Sequence, residues 1–335
     1  MITFKTADHR RFFAEFCRWE MASGGPDPQL PMTHHMATVG EDVDGPEHLW
    51  RALCYIAVYN VPYGEVFWQH CHRDTPRAEL AEWLEKGFDE GKITTRTERK
   101  TVRRADWMLE YMSGAQRFIE NDGAELWERC TGVDPYEAYE IAWATVLKLP
   151  RVGRYTAIKL IEYMRRFMAL PVATPDIRPK DAWSPRHTLG YIFPGRGLGN
   201  RDNSPAALKM ATQTCDDAIR LLEDEYDVKI DMFQLQVMLC EYRESWESKR
   251  QYPGRSIDSE LKYAYRAEVE WGHTSKIWAA RTALFPKQHL GELRGWDGPR
   301  KPVAQCLATY GYTWSDLMYD FNGTTDMAKP QRWLV

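Results

Sequence analysis

A chain of 335 residues is long enough for one large domain or two modest ones around a substantial buried core. Its 44% hydrophobic and 27% charged residues exclude wholesale disorder, and a formal net charge of −4 argues against a non-specific polyanion binder. Seven cysteines, odd in number and never spaced C-x-x-C, exclude a disulfide scaffold and a zinc knuckle.

Residues 4–21 read as an amphipathic helix with Phe12, Phe13, Phe16 and Trp19 near one face. Residues 23–46, rich in Gly, Pro, Asp, Thr and His, read as a long loop. Pro46 opens a strongly apolar helix through Leu49, Leu53, Ile56 and Ala57 that ends before Pro62. His70-Cys71-His72 looks ligand-like, but neighbours in sequence cannot converge from one helix face, so no metal site is expected there. A helix follows Pro76 with Leu80, Trp83 and Leu84, and the spacing recurs over 105–120 with Trp107, Met108, Tyr111 and Met112. Asp134-Pro135 is a helix start, a capping carboxylate followed by proline at the first helical position. The stretch 170–206 breaks this rhythm with prolines at 171, 175, 179, 185, 194 and 205, and reads as a long loop of the functional or mobile kind. Helices resume over about 206–225, 230–247 and 257–270, and the chain is loop-rich from about 285. The expected class is all-α, divided into 1–45, a helical catalytic region over 46–285 and an extension over 286–335. No apolar run approaches membrane length, so no membrane partner and a cytoplasmic location are expected.

One short connection stands out. Leu149-Pro150-Arg151-Val152-Gly153-Arg154-Tyr155-Thr156-Ala157 lies between a helix running from Asp134 and one whose apolar residues are Ala157, Leu160, Ile161, Met164 and Met168. The link calls for a residue that accepts positive φ, and Gly153 is the expected one. Backbone N–H groups of Val152, Gly153 and Arg154 would then face outward at a helix N-terminus, where a phosphate is favoured.

This L-P-x-V-G-R-x-T-A string resembles the helix-hairpin-helix of endonuclease III-like DNA glycosylases, and the resemblance implies a glycosylase-like helical fold that holds DNA by its backbone through Arg151, Val152, Gly153, Arg154 and Tyr155. The sequence departs from that group where base excision would need it. Tyr155 stands where the glycosylase/lyases carry a catalytic Lys, and a phenol forms no Schiff base. Asp176 lies near the place of the group's Asp, but the residues around it do not match, and no four-cysteine iron–sulfur loop follows.

Three further segments narrow the resemblance: the basic approach Arg96–Arg104 before the Trp107–Met112 helix, Tyr59-Asn60 with Tyr63, and Leu239-Cys240-Glu241-Tyr242-Arg243 followed by Lys249-Arg250-Gln251-Tyr252-Pro253-Gly254-Arg255. In this order they resemble the phage amino acid:DNA transferases, also described as α-glutamyl/putrescinyl-thymine pyrophosphorylases. The resemblance implies a phage enzyme, working in the host cytoplasm, that displaces pyrophosphate from 5-(pyrophosphoryloxymethyl)uracil in double-stranded DNA with a small amine. Glycine is the first expectation for the donor.

For that chemistry Arg99, Arg103, Arg243, Lys249, Arg250 and Arg255 are candidate pyrophosphate ligands, because growing charge on the leaving group needs cations and guanidinium forks match phosphate oxygens. For each cation alone a solvated helix face is the commoner explanation, and it is the clustering that points the group towards function. Asp176 and Glu241 are candidate general bases for the amine, Cys240 is a weaker candidate nucleophile, and Trp183 and Tyr252 are candidate stacking partners for an extruded base. No resident cofactor is expected, with a divalent cation such as Mg2+ a companion of the pyrophosphate at most. Two alternatives stay open: a glycosylase acting on a modified base with Asp176 alone, and a non-catalytic DNA-binding module. Gly87–Thr94 superficially resembles a phosphate-binding loop, but its spacing is wrong and no strand precedes it.

Overall fold

The computed structural model describes residues 6–22, 25–38, 44–199, 201–248, 255–272, 279–280 and 283–284. Among these, all regular structure is helical, as the sequence predicts. The α-helices are α1 (Thr6–Ala22), α2 (Gln29–Thr38), α3 (Gly45–Val58), α4 (Val61–His70), α5 (Arg77–Asp89), α6 (Ala105–Phe118) and α7 (Ala124–Cys130). They continue with α8 (Pro135–Val146), α9 (Arg154–Phe167), α10 (Trp183–Ile192), α11 (Pro205–Tyr226), α12 (Met232–Ser248) and α13 (Arg255–Trp271). A 3-10 turn at Thr97–Val102 precedes α6, and a π-helical turn at Ile119–Gly123 joins α6 to α7. The 286–335 extension lies outside the described residues.

The contacts divide into two units, and the 46–285 stretch contributes to both. One unit is formed from Gln29–Thr174 and Glu260–Arg281. Its central element is α3, which is apolar nearly all round and therefore buried, packing against α2, α4, α6 and α9. Asp44 caps α3 by accepting the Glu47 N–H at 2.7 Å, and Pro46 occupies its first turn. At the other end Tyr59 takes a left-handed conformation, and Asn60 at once caps α4 through the Tyr63 N–H. Helix α13 closes the unit through Glu260, which is wholly buried. Its carboxylate accepts from the Val61 N–H at 2.8 Å, from Arg96 at 3.1 Å and from Gln29 at 3.4 Å.

The other unit contains the described parts of Met1–Pro28 and Pro175–Ser259. Phe12, Phe13 and Phe16 of α1 pack with Leu189 and Ile192 of α10, Cys215 and Leu222 of α11, and Leu235, Met238 and Tyr242 of α12. Polar pins fix the register: Thr188 Oγ1 donates to Leu239 O at 2.6 Å, and His9 Nδ1 pairs with the Tyr242 hydroxyl at 3.0 Å.

Two stretches expected as loops contain helices. The 23–46 segment holds α2, and the proline-rich 170–206 segment holds a 3-10 turn at Pro179–Asp181 and α10. The reason is positional. Pro31 and Pro185 are each the third residue of their helices, where no intrahelical N–H bond is lost.

Candidate nucleic-acid interface and active-site residues

Helices α8 and α9 pack together, and the seven residues Leu147–Gly153 turn the chain between them. The turn resolves differently from the sequence expectation. Gly153 has φ −110° and ψ −178°, an extended conformation open to any residue, while Arg151 takes the left-handed one at φ 61°. Tertiary bonds hold Arg151 there. Its carbonyl accepts from Arg99 Nη1 at 3.0 Å and Thr101 Oγ1 at 3.1 Å, and its guanidinium pairs with Glu110 at 2.6 Å while lying 5.0 Å from the Trp107 ring. On the other side Pro150 seats against Gly114 of α6 so closely that a Cβ at 114 would meet Pro150 Cδ at 2.3 Å.

Arg99 was expected at a pyrophosphate. The structure instead buries it beneath the turn, 1% exposed, bonding Arg151 O, Ala57 O and Thr156 Oγ1 with its ion against the Tyr111 ring at 4.9 Å. Burial lowers its pKa from the usual guanidinium value. It anchors the hairpin and offers no open fork to a ligand.

In front of the turn the Val152 N–H is already bonded to Leu149 O at 3.3 Å. At the start of α9, Gly153 is the N-cap, no side chain caps the helix, and a Cβ at Gly153 would meet nothing within 4 Å. The glycine is therefore not required by the fold, and the space before the first turn of α9 is left open. Arg103 and Arg104 are exposed on the approach to α6. Arg103 reaches Arg96 O at 3.4 Å, and Arg104 pairs with Asp106 while covering Trp107 at 4.7 Å. Tyr155, in the first turn of α9, shares a 2.6 Å hydroxyl bond with Tyr59.

The remaining described candidates lie in the second unit. Asp176 is a turn former: its Oδ1 accepts the Arg178 N–H at 2.7 Å and its Oδ2 the Thr212 hydroxyl at 3.0 Å, and Arg178 is left-handed at φ 52°. Trp183 of α10 is 37% exposed, with the guanidinium of Arg243 of α12 at 4.6 Å from its ring and that of Arg201 at 5.3 Å. His187 stacks on the same indole at 5.1 Å. Arg243 pairs with Glu244 at 2.6 Å. Glu241 is half-buried on the same helix. Cys240 Sγ lies 3.4 Å from Ser184 Oγ, and burial raises its pKa, which keeps it a thiol and disfavours a nucleophilic role.

A family model described as amino acid:DNA transferase matches residues 42–251, more than half of the chain. The chain belongs to the amino acid:DNA transferase family. No curated protein and no solved structure matches it.

As an amino acid:DNA transferase the protein is an enzyme that joins an amino acid to DNA. The matched stretch takes in the hairpin, the Arg96–Arg104 approach, Asp176, Trp183, Glu241 and Arg243, so it draws on both units. Lys249, Arg250 and Tyr252 lie outside the described residues. Arg255 opens α13, with its side chain outside them. Among the described residues no group of three or more His, Cys, Asp or Glu could hold a metal ion, and no helix is long and apolar enough to cross a membrane. Sequence reasoning missed Gly114 and Arg201, and it named Tyr59 without its bond to Tyr155. Gly114 was findable only as an unexplained glycine inside an otherwise good helix. Gly87, in the superficially loop-like Gly87–Thr94, sits inside α5, where a Cβ would meet Ile93 at 2.5 Å.

Proposed function

We propose that this transferase displaces pyrophosphate from a 5-(pyrophosphoryloxymethyl)uracil base of double-stranded phage DNA with the amine of a small donor, glycine first. The observation that carries the reading is the family match over residues 42–251. The uncapped, unobstructed start of α9 behind Gly153 supports the DNA half of it, since a helix N-terminus with open space before it suits a backbone phosphate. The helix-hairpin-helix then grips the duplex through Arg151–Tyr155 without reading bases.

In the reaction the exocyclic C–O bond to pyrophosphate breaks and a C–N bond forms at the same methylene. The amine enters as the free base, having lost one proton to a carboxylate, and pyrophosphate departs as the anion. Asp176 and Glu241 are the proposed bases. Arg243 is the described cation proposed for the leaving group, with Lys249, Arg250 and Arg255 following it in sequence. Arg243 already lies against Trp183, the proposed stacking partner of the target base. A divalent cation such as Mg2+ would enter with the pyrophosphate oxygens.

The test is mass spectrometry of nucleosides after incubation with pyrophosphorylated DNA and a mixture of glycine, glutamate and putrescine. Amine-bearing nucleoside should form in step with released pyrophosphate, with no abasic sites. Alkali-labile breaks without a new nucleoside would replace this reading with base excision.

A further inference from the structure

Arg201 belongs to the same unit as Trp183 and Arg243 and has no part in the reaction as set out above. Its guanidinium and that of Arg243 are both within reach of a cation–π contact with the Trp183 ring, at 5.3 and 4.6 Å. Because they share one ring, the two guanidinium centres are less than about 10 Å apart. Arg243 is balanced by Glu244 at 2.6 Å. Arg201 is exposed and has no carboxylate partner among the described residues. The carboxylate next to it in sequence, Asp202, is turned to the start of α11. There its Oδ1 accepts the Ser204 N–H at 2.8 Å and its Oδ2 the Ser204 hydroxyl at 3.1 Å, bonds that hold its pKa below the ordinary aspartate value.

The backbone that carries Arg201 is held from α10 on both sides. Arg186 is 2% exposed and donates to Asn203 Oδ1 at 2.9 Å and to Asp202 O at 2.5 Å. His187, which stacks on Trp183, has Nδ1 3.4 Å from Gly199 O. Gly190 permits that approach, since a Cβ there would meet Gly199 N at 3.2 Å. Burying a guanidinium is costly unless its donors are met. A buried arginine spent on the two residues that follow Arg201 fixes where Arg201 starts from, and Trp183 fixes where its fork ends.

The ligand follows from the chemistry of the pair. Two planar forks carry more N–H donors and more positive charge than their surroundings balance, which suits an anion with several oxygens and more than one negative charge. A carboxylate fills one fork. A pyrophosphate has two phosphoryl groups, one for each.

We propose that Arg201 is a second pyrophosphate ligand, holding the leaving group together with Arg243 beside Trp183. The inference rests on the reading of Arg243 as a cation for that group, and adds its partner. As the exocyclic C–O bond breaks, its electron pair departs with the pyrophosphate oxygen, and the growing charge meets two forks in place of one. The exposed part of the indole is left to the base.

The experiment titrates the full chain, Arg201→Ala and Arg201→Lys with inorganic pyrophosphate by calorimetry, and with an unmodified duplex by fluorescence anisotropy. Arg201 is exposed, so both variants should melt as the parent does. Pyrophosphate should bind the parent saturably and Arg201→Ala about tenfold or more weakly, the usual loss when one charge-assisted bond goes. Arg201→Lys should recover only part of this, because an ammonium restores the charge without the fork. Duplex affinity and its salt dependence should match the parent's in both variants. A parent that binds no pyrophosphate, or an Arg201→Ala variant that binds it equally well, would overturn the assignment. So would normal pyrophosphate binding with a salt slope reduced by about one phosphate contact, which would make Arg201 a ligand of the DNA backbone. The two readings fail separately. Pyrophosphate held through Arg201 by a chain that transfers no amine would leave this site and remove the proposed reaction. Amine transfer at the parent rate by Arg201→Ala, with unaltered pyrophosphate affinity, would do the reverse.

Discussion

Gly114→Ala tests the contact that seats the hairpin. An added Cβ would lie 2.3 Å from Pro150 Cδ and 2.5 Å from Cγ. Carbon atoms rest at about 3.5–4.0 Å, so the ring must retreat by about 1.2 Å. It cannot swing aside, because it is fused to the backbone, and the next carbonyl is held at 3.0 and 3.1 Å by Arg99 and Thr101. A movement of that size breaks both bonds. Two effects then compete. Alanine in a helix interior gains about 1 kcal/mol over glycine. Overpacking costs about 1–3 kcal/mol, and each lost hydrogen bond about 1 kcal/mol. The loss wins, leaving a destabilisation of about 2–4 kcal/mol and a fall in melting temperature of about 4–16 °C. Denaturant melts should show the stability change, and anisotropy on two duplexes of unrelated sequence should show weakened binding to both. A variant as stable as the parent and binding both duplexes equally would refute the argument.

Gly153→Ala should behave oppositely: stability unchanged or raised by up to about 1 kcal/mol, since the backbone is extended and the space open, but DNA affinity reduced across sequences. Unaltered affinity in a binding titration would remove the phosphate from that space. Arg243→Ala should lower turnover by about two to three orders of magnitude while DNA affinity changes little, because the proposed contact grows as pyrophosphate leaves. A loss confined to DNA binding would make Arg243 a backbone contact. For His48, the unfolded ring takes a proton below pH 6.5 that the folded ring refuses until about pH 4. Stability is therefore complete above pH 6.5 and falls as pH drops through that window, by at most about 3 kcal/mol, and by about half that once its half-exposed position is allowed for. His48→Gln should flatten the slope in urea melts between pH 4 and 6.5, and an unchanged slope would clear His48 of it.

Local chemistry made much of the fold readable. Asp134 caps α8 through the Tyr136 and Glu137 N–H groups, and Pro46 opens α3. Such signals lie within four residues of sequence and need no partner. The proline-bearing first turns of α2 and α10 carried the same kind of signal, but beside so many other breakers they read as loop. The hairpin string was visible, yet which residue turns left-handed was not. That is decided by Arg99, Thr101 and Glu110, each at least 40 residues away. Arg99 itself stands in a run of cations that looks uniformly like surface. Its burial depends on a gap beneath the turn that no periodicity announces.

Glu260 sets an order of events during synthesis. The groups it holds, Val61 N–H and Arg96, emerge 199 and 164 residues before it does. At about 5–20 residues per second a ribosome needs roughly 10–30 s to deliver the carboxylate after Arg96. Until then α3, α4 and the approach to the hairpin exist without their closing partner. A nascent chain halted at residue 251, where the family match ends, should be cut by protease within the 29–174 segment far faster than the released protein.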